Sequence, residues 1–196
     1  MTIGRVWRDA MQGERMSHSK AMATTNNAAV CPPDAIQVLQ LFMHNSLVLF
    51  FMTVRIRPVE HIDYDWLLDL HHTVYRELII KEFGYWDDDE ELGLFLEAWE
   101  TKKIDIITKH GNSVGMFIIE KRNDYLWLDE IQIDPQYQNQ GIGTEVIAQL
   151  ILRARKLELP LRLRVLHANQ GAYRLYQKLG FRQISCAAHH NVMELS

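Results

Sequence analysis

Residues 138–144, with the sequence QNQGIGT, combine residue types and a spacing that can bind an anion. The stretch follows Asp134-Pro135 and precedes a long amphipathic pattern, which predicts a turn from a strand into a helix N-terminus. Unpaired N–H groups and the positive dipole end of a helix attract anions there. Glycines at 141 and 143 let the backbone come close to a ligand. The residues of this turn are Gln138, Asn139, Gln140, Gly141, Ile142, Gly143 and Thr144. A plain glycine-containing turn is the alternative.

The spacing does not fit two familiar phosphate-binding loops. A Walker loop needs Gly-x-x-x-x-Gly-Lys-Ser/Thr, whereas Thr144 follows Gly143 directly and no lysine is present. A Rossmann turn needs three glycines, G-x-G-x-x-G, after the first strand of a βαβ series, and only two glycines occur here. Of the phosphate ligands, a pyrophosphate held by backbone N–H groups alone remains.

Two motifs in the second half of the chain resemble the GNAT family of N-acetyltransferases. The stretch IQIDPQYQNQGIG is similar to motif A of that family, Gln/Arg-x-x-Gly-x-Gly/Ala. About 26 residues later, HANQGAYRLYQKLGF is similar to motif B, in which an Asn precedes a helix ending in Tyr-x-x-x-Gly-Phe. The motif B matches are Asn169, Ala172, Tyr176, Gly180 and Phe181. The resemblance covers the order of elements from Met52 to the C-terminus, about 145 residues.

The resemblance implies an acetyl-CoA-dependent N-acetyltransferase, an acyltransferase of the EC 2.3.1 type. Acetyl-CoA is then the co-substrate, and a primary amine of a small molecule or peptide attacks it directly. In the family the coenzyme pyrophosphate lies on the N–H groups of the motif A turn, here residues 138–144, and the pantetheine arm lies beside the fourth strand. The strand residues at these places are Ile131, Gln132 and Ile133. The family pattern also assigns Asn169 to the coenzyme site and Tyr176 to protonation of the departing thiolate.

Periodicity alone gives simpler roles to the last two residues. Tyr176 falls on an apolar helical stripe and fits a core aromatic. Asn169 fits a helix N-cap, a role that is compatible with coenzyme binding. The two interpretations of Tyr176 therefore stay open at the level of the sequence.

An amine acceptor has to lose a proton before it attacks. A lysine-like amine with a pKa of about 10.4 is neutral in roughly one molecule in 2,500 at pH 7, a cost of about 4.6 kcal/mol. Glu130 and Asp129 are the predicted general bases by position, with His167 as a further alternative. The apolar phase shifts just beyond Leu128, which predicts a β-bulge near both carboxylates. Carboxylates at a bulge can also simply bind exposed backbone.

One residue differs from the family pattern and bears on which class of amine is the acceptor. Some members that acetylate protein N-termini carry a Glu on the fifth strand, where this sequence has Arg164. A ribosomal-protein N-terminus is therefore not the acceptor that we predict. The joint between the first two helices contributes three aromatic residues that either line an acceptor pocket or pack together, namely Phe83, Tyr85 and Trp86.

The hydrophobic pattern predicts an α/β (α+β) fold with a single mixed, mostly antiparallel sheet flanked by helices. A strand stops at Pro58, a helix stops at Gly84, and a second helix runs from 86 to about 99. Three strands then form a meander with turns at HGN and RND. The tail is helix, strand, helix and a last strand, with approximate ranges 143–157, 161–166, 170–179 and from 181.

Composition limits the other function classes. The net charge is −4, so clustered phosphate contacts with a nucleic acid are not expected. Two distant cysteines predict a reducing, cytoplasmic setting, and the run at 41–54 is too interrupted to span a membrane. We expect no metal site, because His71 and His72 lack an i, i+4 spacing. Residues 1–51 are expected to be a loosely ordered or non-native extension, and 52–196 the GNAT domain.

Two other function classes stay open beside the acetyltransferase. A non-catalytic acyl-CoA-binding or sensor domain would keep motif A and lack a working base. A toxin-type acetyltransferase acting on charged tRNA is disfavoured by the acidic balance of the chain. Dimers are common in the family, so a homodimer is a further alternative.

Overall fold

The computed structural model describes residues 53–196. The expectation for residues 1–51 lies outside these described residues, as does Met52.

Seven strands form one sheet in the order β1-β2-β3-β4-β5-β7-β6. The strands are β1 (Val54–Pro58), β2 (Ile104–Lys109), β3 (Asn112–Lys121), β4 (Leu126–Ile133), β5 (Leu161–Leu166), β6 (Arg182–Cys186) and β7 (His190–Leu195). Neighbouring strands are antiparallel except for the parallel pair β4 and β5. This arrangement confirms the predicted mixed, mostly antiparallel sheet.

Four α-helices connect these strands: α1 (Tyr64–Phe83), α2 (Asp88–Thr101), α3 (Ile142–Lys156) and α4 (Gln170–Lys178). Helix α1 ends at Gly84, as predicted, and α2 is capped by the Asp87 carboxylate, which accepts the N–H groups of Asp89 and Glu90. Short 3-10 helices occupy His61–Asp63 and Pro135–Tyr137. None of the helices described in residues 53–196 has the length and apolarity to cross a membrane.

The helices cover both faces of the sheet. Successive residues of β3 belong to different apolar clusters, since Phe117 packs with residues of α3 and α4 while Ile118 packs with residues of α1 and α2. Side chains of a strand alternate between the two faces, so the two clusters lie on opposite sides. At the outer edge, Arg57 of β1 makes two bonds of 2.6 and 2.7 Å to the buried Asp63 carboxylate and so fixes the start of α1.

A β-bulge interrupts β4 at the position that the sequence predicted. Ile118 of β3 lies opposite Glu130, whereas Ile119 lies opposite Leu128, so Asp129 is the extra residue. Pairing between β4 and β5 covers only residues 126–128 and 161–163. Beyond the bulge the two parallel strands separate, and they leave an open wedge in the middle of the sheet.

The C-terminal segment differs from the sequence prediction of one final strand. It forms the hairpin of β6 and β7, in which β7 lies between β5 and β6. All five β6 residues are exposed, so β6 has no buried apolar face that would produce a regular pattern. The connecting residues 187–189, Ala-Ala-His, also lack the usual Gly, Asn or Pro turn signals.

Candidate active site

The turn ahead of α3 presents its backbone without a side-chain cap. Gly141 is the N-cap residue with φ of 80°, and no side chain in the described chain caps this helix. The first-turn N–H groups of residues 142–144 have no partner within the helix by geometry. Gln138 stabilises the turn by donating to the Ile133 carbonyl at 2.9 Å, and Gln140 donates to the Gln136 carbonyl at 3.0 Å.

The two glycines of the turn serve different purposes. Gly141 lies in the left-handed region, which strains residues with a side chain. Gly143 is helical, and a Cβ there would meet only the Leu175 side chain at 3.9 Å, an ordinary contact. Nothing in the described protein therefore requires glycine at 143. Open space above uncapped N–H groups fits a bound pyrophosphate.

A cavity of about 660 Å³ lies at the wedge between β4 and β5. Its walls come from α1, α2, α4, the two separated strands, residues of β2 and β3, and the hairpin of β6 and β7. The predicted site residues that line it are Asp129, Glu130, Ile131, Gln132, Asn169 and Tyr176. Ile133 and the turn residues 138–144 lie outside this lining. The structure thus brings both predicted carboxylates and the predicted acid to one cavity, and leaves the glycine turn of residues 138–144 outside its lining.

Glu130 is held in the cavity by neutral hydrogen-bond donors. The Gln132 amide donates to its carboxylate, and the Tyr75 hydroxyl does the same from α1. Burial raises the pKa of Glu130, while the electrostatic influence of His71 and the Gln132 hydrogen bond partly oppose the rise. A carboxyl with a raised pKa accepts a proton more readily than an ordinary one.

Asp129 has a different environment although it is the next residue. Its carboxylate lies 3.4 Å from Lys102 Nζ and 3.5 Å from an Arg164 guanidinium nitrogen. The Trp127 indole N–H donates to it at 3.0 Å. The bulge turns it towards these partners, so that its single negative charge lies between two cations, and Lys102 is also paired with Glu120. Arg164, where some family members have a Glu, is therefore part of an ion-pair cluster.

Tyr176 is buried, belongs to the core cluster and lines the cavity, so its two sequence interpretations are compatible. Its ring lies 5.7 Å from the Phe181 ring, centroid to centroid. Burial raises the pKa of its phenol to about 12, which keeps it protonated at neutral pH. Asn169 is the N-cap of α4, since its side-chain oxygen accepts the Ala172 N–H at 3.1 Å.

The sequence interpretation missed three cavity residues from the first two helices. His71 Nε2 lies 3.2 Å from a Glu91 carboxylate oxygen, and His71 Nδ1 lies 3.4 Å from Gln132 Nε2. Tyr75 is the third, through its bond to Glu130. His71 and Tyr75 lie four residues apart on the inner stripe of α1, so polar groups on an apolar helix face were the available signal.

The three aromatic residues at the joint of the helices separate in the structure. Phe83 lines the cavity and lies 4.6 Å from the His189 ring. Trp86 packs instead against His72 and beneath the Arg76 guanidinium, and Tyr85 is exposed. His167, the further base alternative, lies outside the cavity lining, with its Nε2 3.7 Å from Cys186 Sγ.

The family model described as the acetyltransferase (GNAT) family matches residues 64–181, which is more than half of the chain. The chain belongs to the GNAT acetyltransferase family. Both motifs identified in the sequence fall within the matched region, so the family prediction is confirmed. The matched family is one of acetyltransferases.

Relatives of this GNAT protein give the same fold. The spermine/spermidine N(1)-acetyltransferase of Bacillus subtilis (strain 168) is 35% identical over 65 residues, which are 32% of this chain. The chain spans 43% of the length of that relative. The crystal structure of PaiA N-acetyltransferase from Thermoplasma acidophilum in complex with coenzyme A has a TM-score of 0.55 and 16% identity, covering 73% of this chain and 98% of that one.

A second solved structure confirms the architecture of the GNAT domain. The ribosomal-protein-S18-alanine N-acetyltransferase from Escherichia coli has a TM-score of 0.53 and 22% identity, and the match covers 72% of this chain and 92% of that one. At this identity the likeness shows the fold alone. The acceptor of the present protein is therefore inferred from its own cavity.

Proposed function

We propose that this protein transfers an acetyl group from acetyl-CoA to a primary amine of a small molecule or peptide, without a covalent enzyme intermediate. One observation supports the proposal above all others. The wedge between β4 and β5 opens into a cavity that contains a carboxyl with a raised pKa, Glu130, and a protonated phenol, Tyr176. We assign this activity to residues 52–196.

The residues present fit the coenzyme. The uncapped N–H groups at the start of α3 and the open space over Gly143 suit its pyrophosphate. The unpaired edge of β4 at Ile131 and Gln132, with Asn169 opposite, suits a pantetheine arm. When bound, acetyl-CoA supplies an activated acetyl thioester.

Glu130 is the general base in this proposal. Its carboxylate faces the cavity and is bonded only to neutral donors in the described chain, so it can accept the ammonium proton of the acceptor. Tyr75 and Gln132 orient it. Asp129, held between Lys102 and Arg164, orders the wall beside it and is not the base.

Tyr176 is the general acid. Its phenol is protonated at neutral pH, since the ordinary tyrosine pKa of 10.0 already lies well above 7 and burial raises it further, to about 12. It can therefore donate that proton to a sulfur leaving group beside it. The hydroxyl is fixed by the packing of the ring against Phe181.

The proposal is tested by following thiol release from acetyl-CoA against alkyl monoamines, amino acids, polyamines, aminoglycosides and lysine peptides. We expect release with at least one amine, and about 100-fold slower turnover in Glu130→Gln, in the range for a lost general base. Glu100→Gln, at an exposed position of α2, is the matched control and should behave as wild type. If the protein binds CoA but none of the amines produces thiol release, it is the non-catalytic acyl-CoA sensor instead.

The location of the protein is proposed from its cysteine usage. The chain has two cysteines, and Cys186 is a free, exposed thiol. A free thiol is typical of a reducing compartment, which supports a cytoplasmic location.

A further inference from the structure

We infer that the acceptor is a monoamine, a primary ammonium group on an apolar carbon skeleton, and not a polyamine. The inference rests on the proposed function, since it takes Glu130 as the group that meets the acceptor nitrogen. It comes from the charges and apolar surfaces that line the cavity.

Two of the cavity carboxylates already have basic partners. Glu91 lies 3.2 Å from the ring nitrogen of His71, and both side chains are buried. Asp129 lies between Lys102 and Arg164 at 3.4 and 3.5 Å. A second ammonium group of a ligand would have to displace one of these partners, and neither carboxylate is available without that exchange.

Glu130 is the remaining acid of the lining that is not fully exposed, and its side chain is half-buried. Its donors in the described chain, Tyr75 and Gln132, are neutral, and none of the ion pairs found in residues 53–196 includes it. The nearby His71, whose electrostatic influence lowers the pKa of Glu130, is already paired with Glu91. Glu97 also lines the cavity, but it is exposed on α2, where water screens its charge. The interior of the cavity therefore offers one anionic partner for one ammonium group.

Part of the cavity wall is apolar. Leu78 and Phe83 of α1 and Leu94 of α2 line the cavity and are only half-buried. A hydrocarbon skeleton laid against them removes their exposed surface from water, which is favourable. A second ammonium group at the same wall would lose hydration, and the carboxylate of Glu97, three residues from Leu94 on α2, is exposed and screened by water, so that pairing with it would recover little of the loss. The wall thus selects for an apolar skeleton.

The test compares two ligands that differ only in a second ammonium group, n-hexylamine and hexamethylenediamine. Both are titrated calorimetrically into the full-length protein saturated with CoA, which carries no acetyl group to transfer. We expect hexylamine to bind at least about 10-fold more tightly, since the diamine has to desolvate an unpartnered charge. The same order is expected in kcat/KM with acetyl-CoA, and spermidine should be as poor as the diamine.

A carboxylate introduced into the apolar wall should reverse the preference. Leu94→Glu supplies a partner for the second ammonium, so diamine affinity should rise about 10-fold relative to hexylamine. Leu96→Glu is the matched control, because Leu96 is an exposed α2 residue outside the cavity lining. If a melting curve shows that Leu94→Glu does not fold, the wild-type pair of ligands decides alone.

Three results would overturn the inference: a diamine that binds wild type as well as hexylamine, spermidine as the better substrate, or binding of neither amine. Failure of the proposed function has a different signature. In that case no amine accelerates thiol release, whatever the order of affinities in the calorimeter.

Discussion

Replacing Gly143 by alanine is expected to stabilise the folded protein while it weakens coenzyme binding. Gly143 is the second residue of α3, and a Cβ there meets only Leu175 Cδ2 at 3.9 Å. Alanine is favoured over glycine in a helix by about 1 kcal/mol, and by less in the first turn. We therefore expect about 0.5–1 kcal/mol of added stability, a rise in Tm of roughly 1–4 °C for a domain of this size.

The same methyl group stands where the proposed pyrophosphate approaches the helix. Losing one hydrogen bond between a backbone N–H and a charged oxygen costs about 1.5–3 kcal/mol. CoA affinity should therefore fall by about 10- to 100-fold. The two effects have opposite signs because the protein alone leaves this position open, whereas the ligand does not.

Scanning calorimetry and CoA titration of the same preparations measure both effects. Gly93→Ala is the control, because Gly93 lies in α2, far along the chain from the turn, and a Cβ at this position would have nothing within 4 Å. This variant should gain stability and bind CoA as wild type does. A folded Gly143→Ala protein with unchanged CoA affinity would refute the assignment of the pyrophosphate to this turn.

The acid, the base and the outer edge of the sheet each give a further prediction. Tyr176→Phe should lower turnover about 100-fold with CoA affinity unchanged. The control Tyr173→Phe, at an exposed hydroxyl, should leave turnover intact. Equal turnover in the two variants would refute the assignment of Tyr176 as the general acid. The pKa of Glu130 is raised, so kcat/KM should fall with decreasing pH at a higher pH than for an ordinary carboxyl. The hydrogen bond from Gln132 lowers this pKa, so removing it in Gln132→Met should raise the pKa and move the acidic limb to higher pH; an unmoved limb would contradict this. Asp63→Asn should lower the free energy of unfolding in urea by about 1–3 kcal/mol. The pKa of Asp63 is lowered in the folded protein, so its contribution to stability is present above the unfolded value of 3.8 and is lost as pH falls through the folded pKa. A difference between wild type and Asp63→Asn that does not change with pH would contradict this.

The order of elements was predictable because periodicity, turns and caps are local. Gly84 ends α1 and Asp87 begins α2 through contacts within a few residues. The bulge was also predictable, since a one-residue shift of the apolar phase beyond Leu128 has no other simple explanation in a strand. These features need no knowledge of distant parts of the chain.

The polar network of the cavity was not predictable in the same way. Gln132 of β4 meets His71, which is 61 positions earlier, and no local pattern records that contact. The sequence pattern does not distinguish Asp129 from Glu130, because they are adjacent. Their different environments depend on how far the bulge rotates each side chain, towards Arg164 or towards Tyr75.

The separation of β4 and β5 also affects the rigidity of the sheet. It divides the sheet into two leaves, β1–β4 and β5–β7, which are joined edge to edge only at residues 126–128 and 161–163. Helix α3 contacts β1 and β4 of one leaf and β5 of the other, and so connects the two leaves. In the free protein, backbone amides that face the gap between β4 and β5 should exchange with deuterium quickly, since local opening of the two leaves exposes these amides to water. A molecule bound in the gap would hold the two leaves together and slow this exchange. The exchange rate of these amides would therefore report directly whether the gap is occupied.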